Sequence, residues 1–148
     1  MLGRTLHISL NNWLTCVDPT NHPGELSLGG GPCLQSQHTQ HWRHTAGGRL
    51  QQDDFCMSLS EVSVGAVVLQ QLCGRGEDKL DLQGWRRVRP GRKVRERTNS
   101  LPGQLYRNIK HDLCLDYSEL HSKGMKVLRC DMDSPYQRFQ FQYFTPSP

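Results

Sequence analysis

The feature that most constrains the fold of this chain is the regular spacing of its cysteines. The 148 residues contain 6 cysteines, which form three successive pairs separated by 17, 17 and 16 positions. The pairs are Cys16 and Cys33, Cys56 and Cys73, and Cys114 and Cys130. Cysteines in pairs are typical either of metal sites or of disulfide bridges.

Disulfide bridges fit this spacing better than metal ligation does. Zinc knuckles place their ligands about two to four residues apart, and no pair here is so close. A regular local pairing instead predicts three bridges and an oxidising compartment. Each bridge would contribute on the order of 3 kcal/mol in the chain-entropy model. The alternatives are six buried free thiols or another connectivity, since six cysteines allow many pairings. The prediction is Cys16–Cys33, Cys56–Cys73 and Cys114–Cys130, with no metal site.

A glutamine-x-aromatic triplet follows each cysteine pair. The triplets are "QHW" at 40–42, "QGW" at 83–85 and "QRF" at 137–139. Successive first cysteines lie 40 and 58 positions apart, so the second interval contains an insertion. We place it in "RPGRKVRERTNSLPGQ", where proline, glycine, asparagine and serine indicate turns. The chain therefore contains three copies of one unit.

Short β-strands are predicted in each copy. Runs such as "RTLHISL", "GAVVLQQL", "QLYRNI", "MKVLRC" and "RFQFQYF" are apolar or alternating and end in turn residues. Only "SELHSKGMK" has a helical pattern, and Gly124 interrupts it. Three small units around a pseudo-threefold axis would share one core and leave few open edges. The sequence therefore predicts an all-β fold, a β-trefoil, as one domain over 1–148 with repeats of roughly 4–47, 48–103 and 104–148.

The composition is compatible with a single globular domain and excludes some other classes. The net charge is +4, and much of the excess lies in "WRRVRPGRKVRER" at 85–97, so any attraction for anions is local. No stretch approaches the roughly 20 apolar residues that a membrane span needs. The segment "MLGRTLHISL" lacks the apolar core of a signal peptide. If the protein is exported, we expect its targeting segment to lie outside this chain.

The same motifs resemble a known family. A Cys-x-Asp opening, a second cysteine and a Gln-x-Trp triplet in each repeat resemble the ricin-B-type lectins. The cysteine spacing and the strings "LCLDYS" and "HWRHTAGGRLQQDDFCMSL" are similar to the C-terminal lectin domain of the polypeptide N-acetylgalactosaminyltransferases. The resemblance extends from about Leu6 to Phe144, and it implies a ricin-B-type β-trefoil that binds N-acetylgalactosamine (GalNAc).

The resemblance also implies roles for the motif residues. Asp18 and Asp116, each two positions after a first cysteine, would accept hydrogen bonds from vicinal sugar hydroxyls. The alternative is that each aspartate only caps a turn through an Asx-type bond. The second repeat has Ser58 at this position, so we expect no sugar there. The triplet aromatics would pack in the core, and they are Trp42, Trp85 and Phe139.

Two repeats differ from the family pattern beside the aspartate. The family often has a histidine after the second cysteine and an asparagine before the glutamine. The first repeat has Leu34 and Thr39 at these positions, where His38 or His41 is a potential substitute. The first site is therefore expected to be weak.

In the third repeat, Asp131 and Tyr136 occupy the two positions. Tyr136 or Tyr117 could stack on a sugar while Asp116 and Asp131 accept its hydroxyls. Two close carboxylates could instead repel each other or attract a cation. We favour the third site, followed by the first. The predicted carbohydrate-binding residues are Asp116, Asp131, Tyr136, Gln137, Asp18 and Gln40.

Three functions are compatible with these residues. The first is a lectin domain that recognises GalNAc on glycosylated peptides, accessory to a polypeptide N-acetylgalactosaminyltransferase in mucin-type O-glycosylation. The second is the glycosyltransferase itself. The family's separate catalytic domain, which uses Mn, does not fit beside a trefoil in 148 residues. "DDF" at 53–55 is predicted to be a hairpin turn, so we expect no catalytic residue and no cofactor in this chain.

The third is a heparin-type or protein-interaction trefoil that uses the basic stretch 86–97. Its residues would be Arg86, Arg87, Arg89, Arg92, Lys93, Arg95 and Arg97. Nucleic acid is not an expected partner because no reading motif accompanies the charge. The expected partners are GalNAc-bearing glycopeptides or glycoproteins, with an upstream catalytic domain as a further candidate. By the same resemblance, the expected location is the Golgi lumen of the secretory pathway.

Overall fold

The computed structural model describes residues 3–9, 12–21, 27–89 and 103–141. Within these ranges the chain forms short β-strands and a few helical turns. The first repeat contributes β1 (Arg4–Ile8), β2 (Thr15–Asp18), β3 (Gly29–Pro32) and β4 (His41–His44). The second contributes β5 (Leu50–Gln52), β6 (Phe55–Leu59), β7 (Val68–Leu72) and β8 (Trp85–Val88). The third contributes β9 (Leu105–Asn108), β10 (Cys114–Asp116), β11 (Lys126–Leu128) and β12 (Phe139–Phe141).

The strands of the three repeats pair into a barrel closed by hairpins. Strand β1 pairs antiparallel with β4 and β12, β4 pairs with β5, and β8 pairs with β9. A bridge between Gln104 and Phe139 joins the start of β9 to β12. The backbone N–H of Trp85 donates to the carbonyl of Gly48 at 2.7 Å, which links β8 to the segment before β5. Most strand edges are therefore paired within the fold.

The middle strands of each repeat form a hairpin, and the three hairpins meet at one end of the barrel. The hairpins are β2–β3, β6–β7 and β10–β11. Bridges join Ser27 to Leu69 and Val67 to Lys126, so each contact crosses from one repeat to the next. Four strands per repeat around a pseudo-threefold axis form a β-trefoil, as the sequence predicts.

The triplet aromatics fill the core, as predicted. Trp42, Trp85 and Phe139 are at most 1% exposed. Burying a tryptophan side chain of about 200 Å² contributes roughly 5 kcal/mol at about 25 cal/mol per Å². The indole N–H of Trp42 donates to the carbonyl of Val17, and that of Trp85 donates to the carbonyl of Met57. The three rings therefore anchor the fourth strand of each repeat beneath its hairpin.

Phe139 differs from the two tryptophans because it has no donor. Its ring instead lies edge-on to Tyr106 and Tyr117, with centroid separations of 6.2 and 5.9 Å. Both tyrosines are buried. Aromatic packing therefore replaces the indole hydrogen bond in the third repeat.

The predicted disulfide connectivity is confirmed. The three bridges are Cys16–Cys33, Cys56–Cys73 and Cys114–Cys130. Each bridge joins the second strand of a repeat to the residues that follow its third strand. The residues next to each second cysteine are thereby held at a fixed place.

The helical turns lie where the sequence pattern did not place them. The segment 118–123 forms turns rather than a helix, and the amides of Ser122, Lys123 and Gly124 all donate to the carbonyl of Glu119. Gly124 has a φ of +93°, which ends the turn. Instead, each triplet glutamine ends a short helical turn. These turns are His38–Gln40 and Pro135–Gln137, both 3₁₀, and Leu80–Gln83, which is α-helical and is named α1.

Two other predictions concern the loops. Asp53 and Asp54 form the tight turn between β5 and β6, with Asp53 at a φ of +54°, so the hairpin at "DDF" is confirmed. Most of the predicted insertion, from 90 to 102, lies outside the described residues. The same holds for Arg92, Lys93, Arg95 and Arg97.

Candidate functional site

The triplet glutamines make the same two hydrogen bonds in all three repeats. Each side-chain oxygen accepts from the backbone N–H of the residue that follows the second cysteine. Each side-chain nitrogen donates to the backbone carbonyl of the residue that precedes the same cysteine. Gln137 accepts from Asp131 at 2.9 Å and donates to Arg129 at 3.1 Å. The other partners are Leu34 and Pro32 for Gln40, and Gly74 and Leu72 for Gln83. The buried amides thus satisfy one backbone N–H and one backbone carbonyl beside each disulfide.

In two repeats the glutamine also holds the aspartate. The amide nitrogen of Gln40 donates to Asp18 Oδ2, and that of Gln137 donates to Asp116 Oδ2, each at 3.1 Å. The second repeat has Ser58 instead, whose hydroxyl donates to the carbonyl of Leu59 at 3.4 Å. The carboxylate is therefore fixed in the first and third repeats and missing from the second.

The two aspartates differ in how many acceptor positions are already occupied. A carboxylate has about four lone-pair positions. Asp18 Oδ1 accepts from both the N–H and the hydroxyl of Thr20, at 3.0 and 2.7 Å. Asp116 Oδ1 accepts from the N–H of Ser118 at 2.8 Å. With its bond from Gln137, Asp116 retains more acceptor capacity for an incoming hydroxyl than Asp18 does.

The ionisation of Asp18 reflects these donors. Burial is the largest single influence on this carboxyl and acts to raise its pKa. The hydrogen bonds from Thr20, Thr39 and Gln40 act in the opposite direction, and together they hold the pKa of Asp18 below its ordinary value. Both aspartates make the Asx-type bond of the turn-capping alternative, so this structural role is present whether or not a sugar binds.

The third repeat brings together the predicted site residues around Asp116. The backbone of Asp131 binds Gln137, and its carboxylate accepts from the N–H of Asp133 at 2.9 Å. The carbonyl of Tyr136 accepts from the N–H of Tyr117 at 3.0 Å, directly after Asp116. The side chain of Tyr136 is 47% exposed. Asp116, Asp131, Tyr136 and Gln137 are therefore connected through hydrogen bonds.

The prediction that Tyr117 could stack on a sugar is wrong. Its side chain is 4% exposed and packs edge-on against Phe139 and Tyr136. Burial is the main reason why the pKa of Tyr117 is raised. Its protonated hydroxyl donates to the carbonyl of Pro135 at 2.7 Å, which fixes the turn before Gln137. Tyr136 is the ring of this pair that is open to a ligand.

A buried arginine in the third triplet was not predicted as part of the site. The guanidinium of Arg138 donates to the carbonyl of Met132 and is 2% exposed. Burial lowers its pKa, while the nearby carboxylates of Asp133 and Asp131 act in the opposite direction. The buried side chain of Arg138 therefore stabilises the loop 131–133, which contains Asp131. The signal in the sequence was a basic residue in the triplet beside "DMD" at 131–133.

The first repeat does not bring a histidine to its carboxylate. The ring of His38 is hydrogen-bonded to the carboxylate of Asp53 at 2.9 Å, and the ring of His41 donates to the carbonyl of Gln35 at 2.8 Å. Among the hydrogen bonds of the described residues, neither ring contacts Asp18. Leu34 is exposed and offers no side-chain donor. The first site therefore keeps its glutamine and aspartate without the expected polar surroundings.

One group in the described ranges has the composition of a metal site. Ligand atoms of His7, Cys16 and Cys33 lie within 4.8 Å of one another. The two sulfurs are bonded to each other, however, and a metal ligand is a thiolate rather than a disulfide. The Nδ1 atom of the buried His7 instead donates to the carbonyl of Trp13 at 2.7 Å, and its Nε2 atom accepts from the hydroxyl of Thr5 at 2.8 Å.

The fold resembles that of several solved structures, two of which are an agglutinin and a lectin. The agglutinin from Abrus precatorius superposes with a TM-score of 0.66 at 14% identity, over 95% of this chain and 46% of that one. A structure of GalNAc-T7 with UDP, GalNAc and Mn²⁺ gives 0.65 at 18% identity, over 95% and 22%. The hemolytic lectin CEL-III gives 0.69 at 18% identity, over 97% and 32%. The chain thus spans less than half the length of each of these proteins.

In the described ranges, no helix has the length and apolar character to cross a membrane.

Residues 5–139 match the ricin-type β-trefoil lectin domain. This match covers most of the chain and includes the three triplets and the three bridges. The chain belongs to the family of ricin-type β-trefoil lectin domains, which are carbohydrate-binding and non-catalytic.

Proposed function

We propose that this lectin domain binds GalNAc on glycosylated peptides through its third repeat. The observation that carries the proposal is the state of Asp116, which is held by Gln137 and Ser118 and keeps unoccupied acceptor positions. Two vicinal hydroxyls of one sugar could donate to its two oxygens. In this almost fully buried setting such hydrogen bonds are stronger than in water.

Tyr136 and Asp131 would complete the site. The exposed ring of Tyr136 offers a face for the apolar side of the sugar. Asp131 would accept a further hydroxyl, and the nearby guanidinium of Arg138 attracts the carboxylate of Asp131. The first site, with Asp18 and Gln40, is proposed to be weaker because Asp18 is already engaged by Thr20.

GalNAc is proposed as the ligand because of the sequence resemblance to the lectin domains of polypeptide N-acetylgalactosaminyltransferases. The fold similarity to GalNAc-T7 supports this relation. In this proposal the domain is accessory to such an enzyme in mucin-type O-glycosylation, and Mn belongs to the separate catalytic domain. The three disulfides support a location in the secretory pathway, for which we propose the Golgi lumen.

The test is a calorimetric titration of the purified chain with a GalNAc-bearing peptide. The same peptide without sugar, and the peptide carrying glucose, serve as controls. We expect weak binding of the GalNAc peptide, since a single sugar buries little apolar area. Equal heats for all three peptides would contradict the proposal.

A second measurement separates the lectin from the enzyme. The purified chain is incubated with UDP-GalNAc, Mn²⁺ and an acceptor peptide, and transfer is followed by mass spectrometry. We expect no transfer. Turnover that scales with protein concentration would contradict the proposed accessory role.

A further inference from the structure

One end of the barrel carries basic residues, at the start of β1 and near the ends of β4 and β8. His44, Arg87 and Phe141 each lie two positions after the buried aromatic of their triplet. Side chains two positions apart on a strand share a face. These three residues therefore occupy equivalent places in the three repeats, around the same end of the pseudo-threefold axis. Two of the three places hold a basic side chain.

Strand pairing adds two more arginines at this end. Arg4 is the register partner of Trp42 in the β1–β4 pair, and Arg43 follows Trp42 directly. Arg4, Arg43 and Arg87 are all exposed. They come from β1, β4 and β8, so the fold brings together residues that lie far apart in the sequence.

The three arginines line one cavity of about 570 Å³. His44, Phe141 and the buried Trp42 complete most of its wall. Its size is in the range of pockets that hold small molecules. We name it the basal cavity.

The charge of the basal cavity is not neutralised by the described residues. Its lining has no carboxylate, and in the parts of the chain that the structure describes no Asp or Glu forms an ion pair with its arginines. The neighbouring depression, which Arg43 also lines, contains Asp53, whose carboxylate is hydrogen-bonded to the ring of His38 at 2.9 Å. Three guanidinium groups around one concave surface create a local positive potential that attracts anions.

We propose that the basal cavity binds a small ligand with sulfate or phosphate ester groups. Guanidinium groups recognise these oxyanions by paired, charge-assisted hydrogen bonds. Phe141, which is half-buried, provides an apolar wall for the carbon skeleton that carries the anions. The basal cavity shares no residue with the site at Asp116, so this inference is independent of the proposed GalNAc function.

The basal cavity also differs from a binding surface on the basic stretch 86–97. Arg87 belongs to both, but Arg4 and Arg43 belong only to the cavity. Arg86 is exposed and does not line it. Arg86→Gln is therefore a matched control for Arg87→Gln, since the two changes remove the same charge from neighbouring positions of β8.

The experiment is a calorimetric titration of the full chain with a sulfated heparin disaccharide at low salt. The unsulfated disaccharide and a hexose bisphosphate are titrated in parallel, to separate sulfated sugars from phosphate esters. We expect binding of at least one of the two esters and no binding of the unsulfated sugar. Affinity should fall about tenfold in each of Arg4→Gln, Arg43→Gln and Arg87→Gln, and remain within about twofold in Arg86→Gln.

Salt and sugar binding provide two further readouts. Ester affinity should decrease as ionic strength rises, because the contacts are exposed charges. Binding of the GalNAc peptide should be the same in all four arginine variants. The proposal is overturned if neither ester binds, if Arg86→Gln weakens ester binding as much as Arg87→Gln, or if Arg4→Gln and Arg43→Gln leave it unchanged.

Discussion

Gln137 and Asp116 are joined by a 3.1 Å hydrogen bond that connects the triplet of the third repeat to its carboxylate. The same bond joins Gln40 to Asp18 in the first repeat. Gln83 has no such partner because Ser58 stands in the place of the aspartate. The glutamine therefore has a structural role beside the disulfide in all three repeats, and it also holds the carboxylate in the first and third repeats.

This difference predicts unequal stability effects for two matched substitutions. Gln137→Met removes the bonds to Asp131, Arg129 and Asp116 Oδ2, whereas Gln83→Met removes only two bonds to the backbone. At about 2 kcal/mol for each buried partner that loses its bond, we expect costs of about 6 and about 4 kcal/mol. Urea unfolding with the disulfides intact measures both. Equal costs would mean that the bond to Asp116 contributes nothing.

The two adjacent tyrosines of the third repeat should have opposite effects. Tyr136→Ala removes an exposed ring, so we expect about tenfold weaker binding of the GalNAc peptide and little change in unfolding free energy. Tyr117→Phe removes the hydroxyl that bonds Pro135, so we expect a loss of about 1 kcal/mol of stability and little change in binding. Titration and thermal unfolding of the same samples test both. The reverse pattern would contradict the prediction, because it would mean that Tyr117 rather than Tyr136 contacts the sugar.

Asp18 should make stability depend on pH in the acid range. Its folded pKa lies below the ordinary value of 3.8, so its stabilising effect is complete above that value. The effect is lost as the pH falls through the lower folded pKa. We expect Asp18→Asn to cost about 2 kcal/mol at pH 6 and to approach the wild-type stability at the lowest pH. Urea midpoints between pH 6 and pH 2 are the measurement, and a pH-independent difference would contradict this role for the charge.

The disulfide bridges and the core aromatics could be predicted from the sequence, because the type and spacing of the residues indicate them directly. The cysteine spacing indicated the three bridges, and Trp42, Trp85 and Phe139 were assigned to the core because large rings are needed to fill a thin repeat. The helical turn α1 was missed because its four residues are too short for a 3.6-residue pattern.

The features that depend on the meeting of distant residues could not be predicted. Arg138 supports the loop of Asp131 through a buried contact, and a pattern of residue types does not indicate burial of a charged side chain. The basal cavity joins Arg4, Arg43 and Arg87 only after the strands have paired. The occupied acceptors of Asp18 likewise became visible only with the bonds from Thr20.

The most direct test of the central claim is the affinity of Asp116→Asn for the GalNAc peptide, with Asp18→Asn as the matched control. Each variant removes one carboxylate charge at the equivalent position of its repeat. If the third repeat binds the sugar, calorimetry should show a loss of about tenfold to a hundredfold for Asp116→Asn and a much smaller change for Asp18→Asn. A folded Asp116→Asn protein that binds the GalNAc peptide as tightly as the wild type would contradict the account.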